Sequence, residues 1–144
     1  MRIYLDICCY NRPFDDKSQI SIQLESNAKL FIQKEIANDV YDLAWSFIID
    51  HENKFNPNEE KRKNIQEWKN KANIYCEPSP KILNLSNELK NQGIHENDAI
   101  HIACAIFTNC DYFITTDYDL LKKQIKDIKI INPIDFIYEI EGIT

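Results

Sequence analysis

Hydrophobic and polar residues follow two alternating patterns along the chain, one typical of buried strands and one typical of helices. Short apolar runs bounded by turn residues predict five strands, and longer amphipathic stretches between them predict helices. The predicted strands span residues 2–8, 43–46, 74–76, 112–116 and 128–131. The predicted helices span residues 18–37, 47 to about 56, 57–71, 80 to about 93, 94–105, 120–125 and 134–140.

The alternation of strands and helices predicts an α/β protein. Right-handed crossovers between such strands give a three-layer α/β/α architecture around a central, mainly parallel sheet of four or five strands. Residues 1–144 fit one domain, and 44% hydrophobic with 28% charged residues is typical of a globular protein. No apolar stretch has the length of a membrane span, and the first residues predict a strand rather than a signal peptide. We therefore expect a cytoplasmic protein without a membrane partner.

Charge and cysteine content exclude some function classes. A formal net charge of −6 argues against the broad electrostatic footprint of a non-specific DNA binder, but it allows a phosphate substrate held through metal ions. The five cysteines are odd in number and lie mostly in apolar runs without paired ligand spacing. They indicate buried, reduced thiols rather than a zinc or redox site.

Acidic residues recur where predicted strands end and helices begin. Asp6 and Asp117 lie at the ends of the first and fourth strands, and Asp98 lies near the start of the helix before the fourth strand. Ligands bind at the carboxyl ends of parallel strands, and Glu52 on the helix after the second strand could join this group. Four carboxylates repel one another, and Mg²⁺ or Mn²⁺ would relieve that repulsion. Such a site supports phosphodiester hydrolysis.

These carboxylates also have structural interpretations. Asp98 could interact with free backbone N–H groups at its helix start, and Asp117 could cap the helix that follows it. Glu52 alone would be an ordinary solvent-facing helix residue. Asp6 is the least ambiguous, because an aspartate that ends an apolar strand is hard to explain by packing.

Several other side chains could assist at this edge of the sheet. The Thr116 hydroxyl could position a water molecule or a phosphate, and Ser46 could cap the helix that begins at residue 47. Arg12 could contact a substrate phosphate or pair with a neighbouring aspartate. His101 lies one helical turn after Asp98, where a core or hydrogen-bonded histidine is favoured over a metal ligand.

Aromatic residues offer candidate stacking surfaces for single-stranded RNA. Trp45 lies inside an apolar run, which favours core packing, and Trp68 could mark the edge of a dimer or partner surface. The other candidates are Tyr10, Phe14 and Tyr118.

Taken together, the motifs resemble the PIN-domain ribonucleases, including the VapC-like toxins and related bacterial PIN proteins. The resemblance is carried by Tyr4-Leu5-Asp6, by Ser46 with Glu52, by Asn97 to Ala103, and by Thr115-Thr116-Asp117 followed by Leu120. It implies a PIN-like fold and Mg²⁺- or Mn²⁺-dependent RNA cleavage. It further implies a homodimer and a role as toxin of a type II toxin–antitoxin pair, with an antitoxin protein as partner. The implied metal ligands are Asp6, Glu52, Asp98 and Asp117, with Thr116 as an accessory residue.

Some alternatives stay open at this stage. Asp50 lies close enough to Glu52 to replace it, and Asp119 could replace Asp117 as the fourth carboxylate. Aspartate-nucleophile phosphatases are excluded, because Cys8 and Tyr10 occupy the positions where that class needs an aspartate and a threonine. The alternative function is a catalytically inactive PIN-fold module that binds RNA or a protein partner.

Overall fold

Five parallel strands form one sheet in the computed structural model, which describes residues 1–10 and 20–142. The strand order is β3-β2-β1-β4-β5, so the first strand of the chain lies in the centre. All four neighbouring pairs are parallel, as the alternation of strands and helices predicted. The strands are β1 (Arg2–Leu5), β2 (Asp42–Ser46), β3 (Ile74–Cys76), β4 (Tyr112–Ile114) and β5 (Lys129–Ile131).

Helices cover both faces of the sheet. Helix α1 packs against α7, and α4 packs against α5. The helices are α1 (Ile20–Ala37), α2 (Phe47–Lys54), α3 (Glu59–Trp68), α4 (Pro80–Asn91), α5 (Glu96–Phe107), α6 (Tyr118–Leu121) and α7 (Pro133–Glu141).

Aromatic contacts show that the two helix pairs lie on opposite faces. Tyr4 and Phe113 are register partners on β1 and β4, and their rings stack with centroids 5.3 Å apart. The Tyr4 ring also meets His101 of α5, with centroids 5.7 Å apart. Tyr112, the neighbour of Phe113, instead meets Phe136 of α7 at 5.2 Å. Because successive strand residues face opposite sides, α5 and α7 cover different faces and the fold has three layers.

Several predicted elements have different limits in the structure, and the fourth strand ends at Ile114 rather than at residue 116. The first strand ends at Leu5 rather than at residue 8, because the Asp6 carboxylate accepts a hydrogen bond from the Ile7 backbone N–H at 2.8 Å. That bond starts a 3₁₀ turn, Ile7–Cys9. The helix predicted over 120–125 is instead α6, which begins after Asp117 and ends at Leu121.

The helix predicted over residues 57–71 also has different limits. Asn58 is its N-cap, since its side chain accepts from the Lys61 backbone N–H at 3.0 Å. Pro57 therefore lies outside the helix rather than in its first turn. The helix ends at Trp68 and continues as a 3₁₀ turn, Lys69–Lys71.

Part of the sequence prediction lies outside the described residues. The proposed contact of Arg12 with a phosphate, the stacking surface at Phe14 and the start of the first helix at residue 18 belong to this part. Within the described residues, no helix is both long enough and apolar enough to cross a membrane.

The core contains several residues that the sequence had offered for other roles. Trp45 is completely buried, as predicted, and Tyr10 packs against it with ring centroids 5.1 Å apart. Tyr10 is only 1% exposed, so it does not offer a stacking surface for RNA. The five cysteines are free thiols, four of them buried and Cys8 partly exposed.

Candidate functional site

Asp6 lies at the carboxyl edge of the sheet, where two hydrogen bonds orient its carboxylate. Its Oδ1 atom accepts from the Ile7 backbone N–H, and its Oδ2 atom accepts from the Thr115 hydroxyl at 2.7 Å. Thr115 is completely buried and follows β4, the direct neighbour of β1 in the sheet. The pairing of the two central strands therefore sets the position of the Asp6 side chain.

Asp98 lies in the first turn of α5, half-buried and facing other carboxylates. Burial raises the pKa of its carboxyl group above the usual range, and the negative charges of Asp6, Asp117 and Glu52 raise it further. His101 acts in the opposite direction. Asp6, Asp117 and Glu52 thus each lie near enough to Asp98 to influence its carboxyl group.

Glu52 and Asp50 lie on the same helix but make different contacts. The Oε1 atom of Glu52 lies 2.5 Å from Nε2 of His101. The carboxylate of Asp50 instead accepts from the Trp45 indole at 2.8 Å, from Lys69 at 2.9 Å and from the Tyr75 hydroxyl at 2.8 Å. Because its oxygens are committed to these three donors, Asp50 is a structural residue, and Glu52 is the one directed towards the α5 side chains.

A chain of buried hydrogen bonds continues from Glu52 into the core. The His101 ring is only 1% exposed, and its Nδ1 atom lies 2.6 Å from the Tyr4 hydroxyl. That hydroxyl lies 2.6 Å from Oγ of Ser46. Burial raises the pKa of Tyr4 well above its ordinary value, so its hydroxyl keeps its proton. Helix α2, helix α5 and the strands β1 and β2 are thereby joined behind the site.

Ser46 occupies the N-cap position of α2, but its side chain makes no capping hydrogen bond. The predicted capping role is therefore wrong, because the hydroxyl is directed inwards to Tyr4 instead. The sequence interpretation also missed the hydrogen bonds of Tyr4, which it used only as part of the Tyr4-Leu5-Asp6 motif. The hydrogen-bonded histidine favoured at position 101 is confirmed.

The residues after β4 divide their contacts between the site and the local backbone. Asp117 Oδ1 accepts from the backbone N–H groups of Asp119 at 2.9 Å and Leu120 at 3.3 Å, so Asp117 does cap the following helix. The Thr116 hydroxyl donates to the Cys8 sulfur at 3.3 Å. The contact with the Asp6 carboxylate comes from Thr115, which the sequence interpretation missed.

A cavity of about 330 Å³ opens beside Asp98 and Asp117. Acidic side chains and two lysines line it, together with the turn between α4 and α5. Its lining consists of Gly93, Ile94, His95, Asp98, Asp117, Asp119, Leu120, Lys122 and Lys123.

The donor atoms at this edge match the chemistry of a hard cation. Within residues 1–10 and 20–142, no three Asp, Glu, His or Cys side chains are grouped as a ready-made metal site. The candidate ligands are nevertheless carboxylate oxygens, which Mg²⁺ and Mn²⁺ prefer. Burial and the neighbouring negative charges, in that order, raise the pKa of Asp98, and a bound cation would relieve both effects. The residues present therefore fit a divalent cation chemically.

Solved structures with the same fold come from VapBC complexes. One is the structure of VapBC2 from Rickettsia felis bound to a DNA fragment from the VapBC2 promoter. A chain of this complex aligns with a TM-score of 0.58 and 20% identity, and the alignment covers 92% of this chain and 98% of that one. A chain of VapBC-1 from nontypeable Haemophilus influenzae aligns with a TM-score of 0.54 and 24% identity. This alignment also covers 92% of this chain and 98% of that one. No protein-family model and no curated protein matches the sequence. The structural likeness confirms the predicted three-layer, PIN-like fold.

Proposed function

We propose that this PIN-like protein is a metal-dependent endoribonuclease that binds Mg²⁺ or Mn²⁺ through Asp6, Glu52, Asp98 and Asp117. The observation that carries the proposal is the environment of Asp98, whose pKa is raised first by burial and then by the negative charges of Asp6, Asp117 and Glu52. The four residues come from distant parts of the sequence, and the influence of the other three on Asp98, at the edge of a parallel sheet where ligands bind, supports a shared role.

Each part of the site has a definite task in this proposal. Thr115 and the Ile7 backbone N–H hold the Asp6 carboxylate in one orientation, and His101 holds Glu52. Asp98 and Asp117 contribute oxygen atoms at the wall of the cavity. A divalent cation bound by these groups would supply Lewis-acid stabilisation of charge on the phosphate and a water molecule of lowered pKa. Between Asp117 and Asp119, the electrostatic coupling to Asp98 favours Asp117 as the fourth ligand.

We further propose that the protein acts as the toxin of a toxin–antitoxin pair. The two solved structures of the same fold are VapBC assemblies, and one of them is bound to promoter DNA, which supports a protein partner for this chain. A small upstream reading frame whose product restores growth when the two proteins are expressed together would support this role. The homodimer stays a prediction from the resemblance, and the cytoplasmic location stays a prediction from the sequence pattern.

The cleavage reaction can be tested directly with purified protein and labelled single-stranded RNA. We expect cleavage in Mn²⁺ that stops in EDTA and is lost in Asp6→Asn and Asp98→Asn. Glu96→Gln is the matched control, because Glu96 lies in the same first turn of α5 as Asp98 but is exposed. Circular dichroism would show that each variant folds. Cleavage that persists in both aspartate variants, or in EDTA, would contradict the proposal.

The alternative is a PIN-fold module that binds RNA or a partner without cleaving it. The absence of a ready-made metal cluster among the described residues favours this alternative. RNA binding without cleavage by the wild-type protein, over a range of Mg²⁺ and Mn²⁺ concentrations, would support it.

A further inference from the structure

Two cysteine side chains follow Asp6 closely, at the same edge of the sheet. The Cys8 sulfur lies 3.9 Å from the Cys9 sulfur. Cys8 is partly exposed, whereas the other four cysteines of the chain are buried. The sequence had predicted buried, reduced thiols, and a partly exposed sulfur in contact with a second sulfur differs from that prediction.

Hydrogen bonds hold both sulfur atoms in place. The Thr116 hydroxyl donates to the Cys8 sulfur at 3.3 Å, and the Cys9 thiol donates to the Ile114 backbone carbonyl at 3.5 Å. Ile114 ends β4, the direct neighbour of β1 in the sheet, and Thr116 follows two residues later. The pairing of β1 with β4, which orients the Asp6 carboxylate, therefore also sets the positions of the two thiols.

The two thiols differ in their access to solvent. A dissolved oxidant can reach Cys8, while Cys9 is only 2% exposed and can react only with a neighbouring group. Redox-sensitive pairs commonly consist of an accessible thiol that the oxidant attacks and a resolving thiol that then forms the disulfide. Cys8 and Cys9 have this arrangement, because their sulfur atoms are already in contact.

We propose that Cys8 and Cys9 are a peroxide-sensitive pair that controls the position of Asp6. Hydrogen peroxide oxidises the Cys8 thiol to a sulfenic acid and is itself reduced: its O–O bond breaks, one oxygen atom bonds to sulfur and the other leaves as water. The Cys9 sulfur then attacks the Cys8 sulfur, the S–O bond breaks, and the hydroxyl leaves as water with the proton of Cys9. The product is a disulfide between neighbouring residues, which a dithiol reduces again.

This disulfide is incompatible with the turn that holds Asp6. Adjacent Cα atoms lie about 3.8 Å apart across a trans peptide, whereas a disulfide usually joins Cα atoms about 4.4–6.8 Å apart. Closing the S–S bond must therefore twist the backbone between Cys8 and Cys9. In the reduced protein this backbone belongs to the 3₁₀ turn Ile7–Cys9, in which the Cys9 N–H donates to the Asp6 carbonyl at 2.8 Å. Oxidation thus disrupts the turn and displaces the Asp6 carboxylate that caps it.

The link to metal binding rests on the proposed function, because Asp6 is a proposed ligand of the cation. A displaced Asp6 carboxylate would bind the cation less well, so the oxidised protein would be the weaker nuclease. The formation of the disulfide and the loss of the turn do not depend on that assignment.

Oxidation of the purified, reduced full chain with hydrogen peroxide in EDTA tests the pair. We expect a loss of two hydrogen atoms from the peptide that contains Cys8 and Cys9, measured by mass spectrometry, and a return to the starting mass with dithiothreitol. Cys9→Ser should stop at the sulfenic acid, which dimedone traps, and Cys8→Ser should give neither product. Cys110→Ser is the matched control, because Cys110 is buried beside Thr108, and it should react like wild type.

Amide hydrogen exchange, measured by NMR, follows the turn independently of any metal. Exchange at the Ile7 and Cys9 amides should become faster in the disulfide form, since the first donates to the Asp6 carboxylate and the second to the Asp6 carbonyl. The Leu43 amide of β2, which donates to the Asn73 side chain, should keep its exchange rate.

The affinity for Mn²⁺, followed by electron paramagnetic resonance, tests the link to the metal site. We expect the disulfide form to bind Mn²⁺ about 10- to 100-fold more weakly than the reduced form, the usual effect of losing a group that orients a metal ligand. Dithiothreitol should restore the affinity, and peroxide should leave the affinity of Cys8→Ser unchanged.

The outcomes separate the pair from the nuclease assignment. If neither form binds Mn²⁺, the proposed function fails, whereas a disulfide with faster exchange at Ile7 and Cys9 still supports the pair. The absence of the disulfide from peroxide-treated wild type overturns the pair. A disulfide that leaves exchange at both amides unchanged, or leaves the affinity unchanged in a protein that binds Mn²⁺, overturns its control of Asp6.

Discussion

His101 holds Glu52 from within the core: its Nε2 atom lies 2.5 Å from the Glu52 Oε1 atom, on a ring that is only 1% exposed. A carboxylate only accepts hydrogen bonds when ionised, so Nε2 is the donor in this contact. The other ring nitrogen contacts Tyr4, which leaves the ring little freedom to rotate. The site therefore contains one carboxylate whose position is set by a buried neighbour rather than by solvent.

Replacing His101 should weaken metal binding through Glu52. We expect His101→Leu to lower Mn²⁺ affinity and cleavage by about 10- to 100-fold, the usual effect of losing a group that orients a metal ligand. His101→Gln should recover part of the loss, because its amide N–H can reach the former position of Nε2. Mn²⁺ binding followed by electron paramagnetic resonance provides a measurement independent of activity. Equal Mn²⁺ affinity in the Leu variant and wild type would contradict the orienting role.

Tyr4→Phe should destabilise the protein without changing the shape of its core. The substitution leaves the Ser46 hydroxyl and the His101 Nδ1 atom without their partner. A buried polar group left unpaired costs about 1–3 kcal/mol, so we expect a lower free energy of unfolding by this amount. Urea denaturation measures it, and Ser46→Ala should cost less because it leaves the contact between Tyr4 and His101 intact.

Asp98→Asn should stabilise the metal-free protein at neutral pH. The raised pKa of Asp98 means that the folded protein binds more protons than the unfolded chain at pH values between about 3.9 and the raised value. Stability conferred by the protonated form is therefore lost as the pH rises through this window. We expect the variant to have a Tm a few degrees above wild type at pH 7 in EDTA, and a smaller difference near pH 3.5.

The control for this comparison is Glu96→Gln, because Glu96 is exposed in the same helical turn. Its Tm should follow that of wild type across the pH range. A lower Tm for Asp98→Asn than for wild type at pH 7 would contradict a raised pKa for Asp98 in the folded protein.

Added Mn²⁺ should make wild type more stable than Asp98→Asn, which is the reverse of the order expected in EDTA. A ligand that binds only the folded state adds about 2.7 kcal/mol to its stability at a concentration 100 times its Kd. We expect the Tm of wild type to rise with added Mn²⁺ and to fall back with EDTA, whereas Asp98→Asn and Asp6→Asn respond weakly. Thermal denaturation at several Mn²⁺ concentrations measures this, and an identical response in all three proteins would place the ion elsewhere.

The sequence predicted the parallel sheet, and the edge at which Asp6 and Asp117 lie, because both depend on local patterns. Asp6 and Asp117 follow short apolar strands, and the alternation of elements made those strands parallel and placed both residues at one edge. The hydrogen-bond partners of the site could not be predicted in this way. Tyr4 contacts residues 42 and 97 positions away, and no local pattern specifies such contacts.

The sequence pattern also could not show which of two similar, nearby residues contacts the site. Thr115 rather than Thr116 contacts Asp6, because β4 ends at Ile114 and the direction of each hydroxyl depends on that limit. Similarly, Asp50 and Glu52 differ in role because Trp45, Lys69 and Tyr75 surround only one of them. Tertiary contacts of this kind decide which of two chemically equivalent residues faces a site.

The central place of β1 in the sheet has a consequence during synthesis on the ribosome. The first strand made is flanked by β2 and by β4, whose residues are translated about a hundred codons later. Pairing across such sequence separation is slow, and the strand must wait for its partner to leave the exit tunnel. A nascent chain therefore holds Asp6 apart from Asp98 and Asp117 until most of the polypeptide has emerged, so Asp6 reaches its folded position only late in synthesis.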